Sequence, residues 1–237
     1  MNLFYTSESI ENFHVLDEQE SRHSIKSLRL HTNDEVYLTD GKGNMYLTRI
    51  VDDNLRACRL EIIHKIEDYP LLPYHLHIGI APTKNTNRLE WFVEKAVETG
   101  ISEITSLVCD NSERTSIKSD RMERLMIAAV KQSLRAEIPI FNNQICFNDF
   151  IEKTKDRYPQ KFIAYCGDLP QQPDLLKSVC QANTDTLIVI GPEGDFTPAE
   201  VQRAMQSGFI PVSLGKFRLR TETAALLACA TVQIINN

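Results

Sequence analysis

TLIVIGPEGDF, Thr186–Phe196, is an apolar strand that runs straight into a glycine-bearing loop. SLGKFRLRTETAA, Ser213–Ala225, reads the same way and follows about twenty residues later. Each loop opens a helix. After the first, Thr197 is a capping residue, Pro198 suits the first helical position, and Glu200 completes a capping box. After the second, Thr221 or Thr223 starts a small, apolar terminal helix. Tandem strand-loop-helix units imply a parallel sheet that delivers both loops to one edge. In open α/β sheets that edge, at the carboxyl ends of the strands, is where ligands bind. Gly191 and Gly194 let the backbone turn sharply and approach a ligand without a Cβ between. The pattern is neither GxGxxG nor a loop ending in Gly-Lys-Ser/Thr, which disfavours dinucleotide and P-loop chemistry. On these residues alone, a tight strand-to-helix turn explains the loop equally well.

Working outward, Leu76–Ala81, Ile104–Cys109 and Lys161–Cys166 are further strands, alternating with helical stretches. Leu89, Phe92, Val93, Ala96 and Val97 form an amphipathic face, with Asn87 as the expected cap and Gly100 as the stop. Trp91 is expected to pack in the core beside that face. Asp120–Arg135 is a second helix, Phe147–Lys155 and Leu175–Cys180 shorter ones. Residues 1–70 are β-rich instead. Glu35–Thr39 and Met45–Val51 flank a glycine turn, Arg56–Lys65 follows, and Ser21–Leu30 is expected as a short helix. Two prolines, Pro70 and Pro73, mark the break between a small domain, 1–70, and a larger α/β domain, 74–237.

Of 237 residues, 42% are apolar and 24% charged, the balance of a globular domain. No run approaches the ~18 apolar residues of a membrane helix, and the N-terminus has no signal-peptide pattern. Six cysteines without a CxxC pair read as reduced thiols, and six scattered histidines show no metal-ligand spacing. No GxSxG elbow is present. The formal charge is −6, yet it is uneven. Residues 1–70 hold 8 basic and 13 acidic residues; the remainder holds 18 and 19. Glu113–Arg135 and Lys216–Arg220 are locally basic, which leaves a phosphate-rich partner possible.

These motifs resemble the RsmE family, SPOUT-superfamily enzymes that methylate N3 of a uridine in small-subunit ribosomal RNA. The resemblance is carried by IGPEGDF (Ile190–Phe196), LGKFRLRTETA (Leu214–Ala224), Lys84 with Arg88, and EKAVETGI (Glu94–Ile101). Glu113-Arg114 with Lys118, and QSLR (Gln132–Arg135) with Pro139, extend it. His23, Leu28-Arg29 and LTDGKGNMY (Leu38–Tyr46) carry it into the N-terminal part. It departs at Asp195, where the family usually has a second glycine, and at Lys131, where a glutamate is common.

The resemblance implies an N-terminal PUA-like, RNA-binding β-barrel and a SPOUT α/β-knot domain with a deep trefoil knot. It implies a cytoplasmic homodimer using S-adenosylmethionine, with no metal and no membrane. The cofactor-binding residues it implies are Cys166 and Gly167 (with Asp168 beside them), Gly191, Pro192, Glu193, Gly194, Leu214, Gly215, Phe217, Leu219, Arg220 and Thr221. Arg220, Glu222 and Glu193 are the expected catalytic residues, Glu222 as the base. Arg22, Lys26, Arg29, Lys84, Arg88, Arg114 and Arg135 are expected to grip RNA. Glu222 has a second reading, stabilisation of a helix start through the dipole. Two rival functions stand beside the first: another SPOUT methylation, on ribose 2′-O or tRNA, and a non-catalytic ribosome-assembly factor.

Overall fold

A computed structural model describes residues 2–113, 117–167 and 169–237. Arg114 and Asp168 therefore lie outside the described residues. The chain divides into two compact units, Met1–Leu71 with Val130–Ile138, and Leu72–Ala129 with Pro139–Asn237.

The first unit is a five-stranded sheet of β1 (Leu3–Tyr5), β2 (Phe13–Val15), β3 (Glu35–Thr39), β4 (Met45–Asp52) and β5 (Arg59–Ile66), in the order β1-β3-β4-β5-β2. β1 runs parallel to β3, and the other pairs are antiparallel. Phe4, Leu16, Val36, Leu38, Ile50, Cys58 and Leu60 fill its core. The expected helix at Ser21–Leu30 is instead α1 (Glu18–Arg22) followed by one π-type turn, His23–Ser27. Buried Ser21 shapes this stretch: its hydroxyl donates to the Leu16 carbonyl and accepts from the Cys58 amide. Val130–Ile138 joins the unit through the glycine turn. Gly43 N donates to Ala136 O, and Ile138 N to Gly41 O, at 3.0 and 2.9 Å. Lys131 pairs with Glu20 at 2.6 Å, so the departure at this position has a local partner.

The second unit holds a six-stranded sheet, every pair parallel, in the order β11-β9-β10-β6-β7-β8. Its strands are β6 (Leu76–Ile80), β7 (Glu103–Val108), β8 (Ile140–Cys146), β9 (Gln160–Ala164), β10 (Thr186–Ile190) and β11 (Ile210–Val212). All five residues of β6 and of β10 are buried, as a central parallel strand covered on both faces requires. α7 (Thr221–Asn236) packs on β6, β10 and α2 (Thr86–Thr99). α4 (Phe147–Thr154) packs on β7, β8 and α6 (Pro198–Gln206). α3 (Ser119–Ser133) and α5 (Leu176–Val179) complete the helices.

Three details differ from the sequence reading. α2 is capped by Asn85, whose side chain accepts from Asn87 N, and not by Asn87 itself. Its five expected apolar residues are all buried, but Trp91 is 43% exposed. One residue along a helix is a turn of about 100°, which carries Trp91 off the face that Phe92 buries. α7 is buried only along Thr221, Glu222, Ala225, Ala228, Cys229 and Val232; Leu227 and Ile234 face outward.

The amino edge of the parallel sheet carries a buried polar ring. His77 Nδ1 lies 2.8 Å from the Tyr158 hydroxyl and Nε2 lies 2.7 Å from Thr105 Oγ1. The Glu103 carboxylate accepts from Asn142 Nδ2 at 2.6 Å and pairs with His75 Nε2 at 3.0 Å. Burial, against the pull of Glu103, lowers His77 from 6.5 to about 4. Burial alone would raise Glu103, but the His75 hydrogen bond, His77 and Asn142 outweigh it and hold the carboxyl at about 2. Both shifts point the same way. Between pH 6.5 and 4 the unfolded chain holds the His77 proton and the folded chain does not. Below about 4.5 the same becomes true of Glu103. Stability should therefore fall steadily on acidification, by an amount on the order of 3 kcal/mol from His77 alone. Urea midpoints measured from about pH 7 to about pH 4 check this. A flat profile would contradict it, and His77→Asn should reduce the slope.

Candidate functional site

The GPEGD loop after β10 is the hub of the carboxyl edge. Asp195 N donates to Pro192 O at 2.9 Å, closing a tight turn. Glu193 then accepts from Lys84 N, in the loop after β6, at 3.0 Å. Asn111, after β7, donates from Nδ2 to Asp195 O at 3.0 Å. The Asp195 carboxylate accepts from Cys166 N, after β9, at 3.0 Å. Thr221, opening α7, donates from Oγ1 to Gly191 O at 3.1 Å. One loop thus holds four neighbouring segments. Its own exit is rigid: Thr197 and Glu200 form the expected capping box, and Glu200 also accepts from Asp110 N at 3.0 Å.

Asp195 sits at φ 63, where a residue with a Cβ is strained and Asp is among the best tolerated. Its second oxygen accepts from Phe196 N at 2.8 Å. The carboxylate thus binds two backbone amides, one across the gap to β9 and one at the loop's exit. A glycine would lack both bonds.

The loops after β9, β10 and β11 enclose a cavity of about 350 Å³. Cys166, Gly191, Pro192, Glu193, Leu214, Gly215, Phe217, Leu219, Arg220 and Thr221 line it, as do Asp195, Tyr165 and Arg218. Gly167 and Gly194 do not. A Cβ on Gly167 would collide with the Tyr165 hydroxyl, and one on Gly194 would come 3.2 Å from Asn111 Cβ. Both glycines answer to packing beside the cavity, not to the cavity itself. Gly215, at φ 142, has a backbone conformation that side chains rarely adopt. Cys166 is exposed, and burial of its thiol together with the Asp195 charge raises its pKa. It is therefore a poor nucleophile.

Glu222 sits beside the cavity, in the first turn of α7. It is only 6% exposed. Its Oε1 lies 3.8 Å from Arg88 Nε, and its Oε2 has no hydrogen-bond partner. A buried carboxylate left so poorly paired costs stability, which marks it for a role other than folding. Arg220, the N-cap of α7 two residues earlier, is exposed and lines the cavity. Glu193 is exposed and already engaged by Lys84 N.

The remaining expected cations divide between the two units. Arg22, paired with Glu18 at 2.5 Å, lies in the first unit with Lys26, Arg29 and Arg135. Arg22, Lys26 and Arg29 are exposed, and Arg29 is held at φ 57. Lys84, in the second unit, pairs with Glu113 at 2.6 Å. Among the described residues no group of three or more His, Cys, Asp or Glu side chains is placed to hold a metal ion. None of their helices is long and apolar enough to cross a membrane.

The family pattern described as an RNA methyltransferase domain matches residues 70–233, and that of an RNA methyltransferase PUA domain matches residues 16–63. The chain is 33% identical over 238 residues to the ribosomal RNA small subunit methyltransferase E of Mesomycoplasma hyopneumoniae, spanning 95% of this chain and 96% of that protein. The crystal structure of a probable rRNA-methyltransferase from Porphyromonas gingivalis superposes with a TM-score of 0.90 at 36% identity, covering 100% of this chain and 98% of that one. That of a ribosomal RNA small subunit methyltransferase E from Neisseria gonorrhoeae, bound to S-adenosyl methionine, gives 0.86 at 26%, with coverage of 100% and 98%.

Proposed function

The chain belongs to the RsmE family of ribosomal RNA small-subunit methyltransferases, and on that premise we propose that it methylates N3 of a uridine in small-subunit ribosomal RNA, using S-adenosylmethionine. The observation that carries the choice of a base nitrogen is Glu222: a buried, underpaired carboxylate one residue beyond the cofactor-sized cavity.

The cavity suits the cofactor. Ile190, Val212, Leu214 and Leu219 offer apolar surface for an adenine, and Gly215, where a Cβ would meet nothing within 4 Å, leaves its backbone groups accessible. Backbone groups of Leu214, Gly215 and Leu219 would hold adenine and ribose, with Gly191 and Thr221 closing the other side. When bound, S-adenosylmethionine supplies an electrophilic methyl carbon and leaves as a neutral thioether. Glu222 accepts the proton that N3 gives up as its bond to the methyl carbon forms. Arg220 steadies the negative charge that develops on the base. The loops tied through Gly191, Glu193 and Asp195 hold the cavity in place before reaction, which is where much of the rate of an in-line displacement originates.

In this reading Leu214–Thr221 and α7 form the threaded end of a trefoil knot. The active form is a cytoplasmic homodimer, with Leu227 and Ile234 offering apolar surface to a second copy. Residues 1–70 act as the RNA-binding domain and 74–237 as the catalytic one. Arg22, Lys26, Arg29, Lys84, Arg114 and Arg135 contribute phosphate contacts, and Arg88, beside Glu222, meets the RNA at the target base, so binding weakens with added salt.

Purified small subunits, with naked ribosomal RNA and bulk transfer RNA in parallel reactions, should be incubated with labelled cofactor and the modified nucleotide mapped by mass spectrometry. N3-methyluridine is the expected product. Label on ribose or on transfer RNA would replace this reading with another methylation. Cofactor binding without any label would leave an assembly factor.

A further inference from the structure

A groove of about 550 Å³ adjoins the cofactor cavity along Arg218–Arg220, three residues that line both. Arg88 and Trp91 of α2 and Glu222 and Thr223 of α7 form its other walls. We propose that this groove receives the target nucleobase, with Trp91 as its stacking surface and Glu222 as the acceptor that admits uracil and rejects cytosine. The inference rests on the methyltransferase reading and adds where the base sits and how it is chosen.

Three recognition groups line the groove. The Trp91 indole is 43% exposed on a helix that buries its other large apolar residues. An exposed indole lining a groove with room for a nucleobase offers a stacking face. Glu222 is 94% buried by its 6% exposure, yet Oε2 has no partner. The Arg88 guanidinium stands 3.8 Å from the other oxygen, too far to satisfy it.

Uracil complements this set. Its N3–H is a donor flanked by two carbonyl acceptors. A small turn of the Glu222 side chain brings an oxygen to N3–H, while Arg88 and Arg220 face the carbonyls. Cytosine presents a lone pair at N3, which the carboxylate repels, so a single contact separates the two bases. A base lifted from its stack and read on this edge brings N3 to the Arg218–Arg220 segment where groove and cofactor cavity meet, so that N3 can face the methyl carbon as Glu222 takes its proton.

Trp91 is the chain's single tryptophan, so its emission reports on the groove directly. The full-length protein, saturated with S-adenosylhomocysteine, should be titrated with a short single-stranded oligoribonucleotide carrying a central uridine. Quenching is expected, at a concentration at least about tenfold lower than for the same strand with cytidine. On small subunits, Trp91→Ala should lose about 5- to 150-fold in kcat/KM. Trp91→Phe should keep most of the activity, and neither variant should change calorimetric affinity for S-adenosylmethionine. No quenching at concentrations where anisotropy shows the strand bound would overturn the proposal. So would equal quenching by both strands, or full kcat/KM in Trp91→Ala. Emission that shifts on diluting the protein alone would mean that a second copy covers Trp91, and would likewise end it. If the wild type labels no RNA, the functional reading falls while the quenching still decides the groove.

Discussion

Glu222→Gln is expected to lower kcat by about 10²–10⁴-fold while leaving the affinity for S-adenosylmethionine within about twofold of wild type. The two halves of that result have separate causes. Thr221 and Arg220 line the cofactor cavity, but Glu222 does not, so an amide there leaves the cofactor's contacts intact. The amide keeps the side chain's shape and loses its basicity, so the step that removes the N3 proton slows, and the preference for uracil over cytosine weakens with it. Stability should move the other way. The native carboxylate is 6% exposed with one oxygen unpartnered, and replacing a poorly paired buried charge by a neutral isostere relieves a cost of about 1–3 kcal/mol. A variant that is slower and melts higher is the signature of a functional residue held at the fold's expense. Glu193→Gln provides the contrast. Its carboxylate already accepts from Lys84 N at 3.0 Å and is solvated, so a loss below about tenfold is expected. Wild-type kcat in Glu222→Gln would end its assignment as the base, and the stabilisation of a helix start would remain as its role.

What was legible in the sequence follows from how local each signal is. The capping box at Thr197 and Glu200 spans one turn of chain, and the structure reproduces it. The apolar face of α2 is a five-residue periodicity, and all five residues are buried. Most of the expected cofactor residues line one cavity because they occupy two continuous loops at one sheet edge. β1, β2 and β11 are three residues long, too short for any period to register. β8 is an edge strand with polar Asn142, Asn143 and Gln144 at its centre, so it lacks the apolar run that marks β6 and β10. Val130–Ile138 belongs with the first unit although it continues α3, and pairings such as Gly43 with Ala136 leave no local trace. Gly167 and Gly194 show the limit of reading glycine as ligand access. Their neighbours Tyr165 and Asn111 crowd them, and only coordinates reveal the crowding.

Asp195 stands where the family usually has a second glycine, and a substitution series there should separate strain from attachment. Asp195→Ala keeps the Cβ at φ 63 and removes both hydrogen bonds. Amide bonds to a charged acceptor contribute about 1.5–3 kcal/mol, reduced here at Cys166 N because water reaches that exposed residue. The freed loop must then be ordered when the cofactor binds, which weakens affinity. A loss of about 50-fold is expected for alanine. Asp195→Gly loses the same bonds but sheds the left-handed strain of about 1 kcal/mol, so about tenfold is expected. Asp195→Asn tolerates that conformation and retains one acceptor, so it should fall between glycine and wild type. The order Asp, Asn, Gly, Ala in calorimetric Kd would show that the carboxylate joins the loops after β9 and β10. Equal affinities across the series would show that the two loops hold their places without it. An alanine variant binding better than glycine would contradict the left-handed geometry itself. In this chain the position left without a glycine gains a bond between two walls of the cavity, a function that glycine has no atoms to perform.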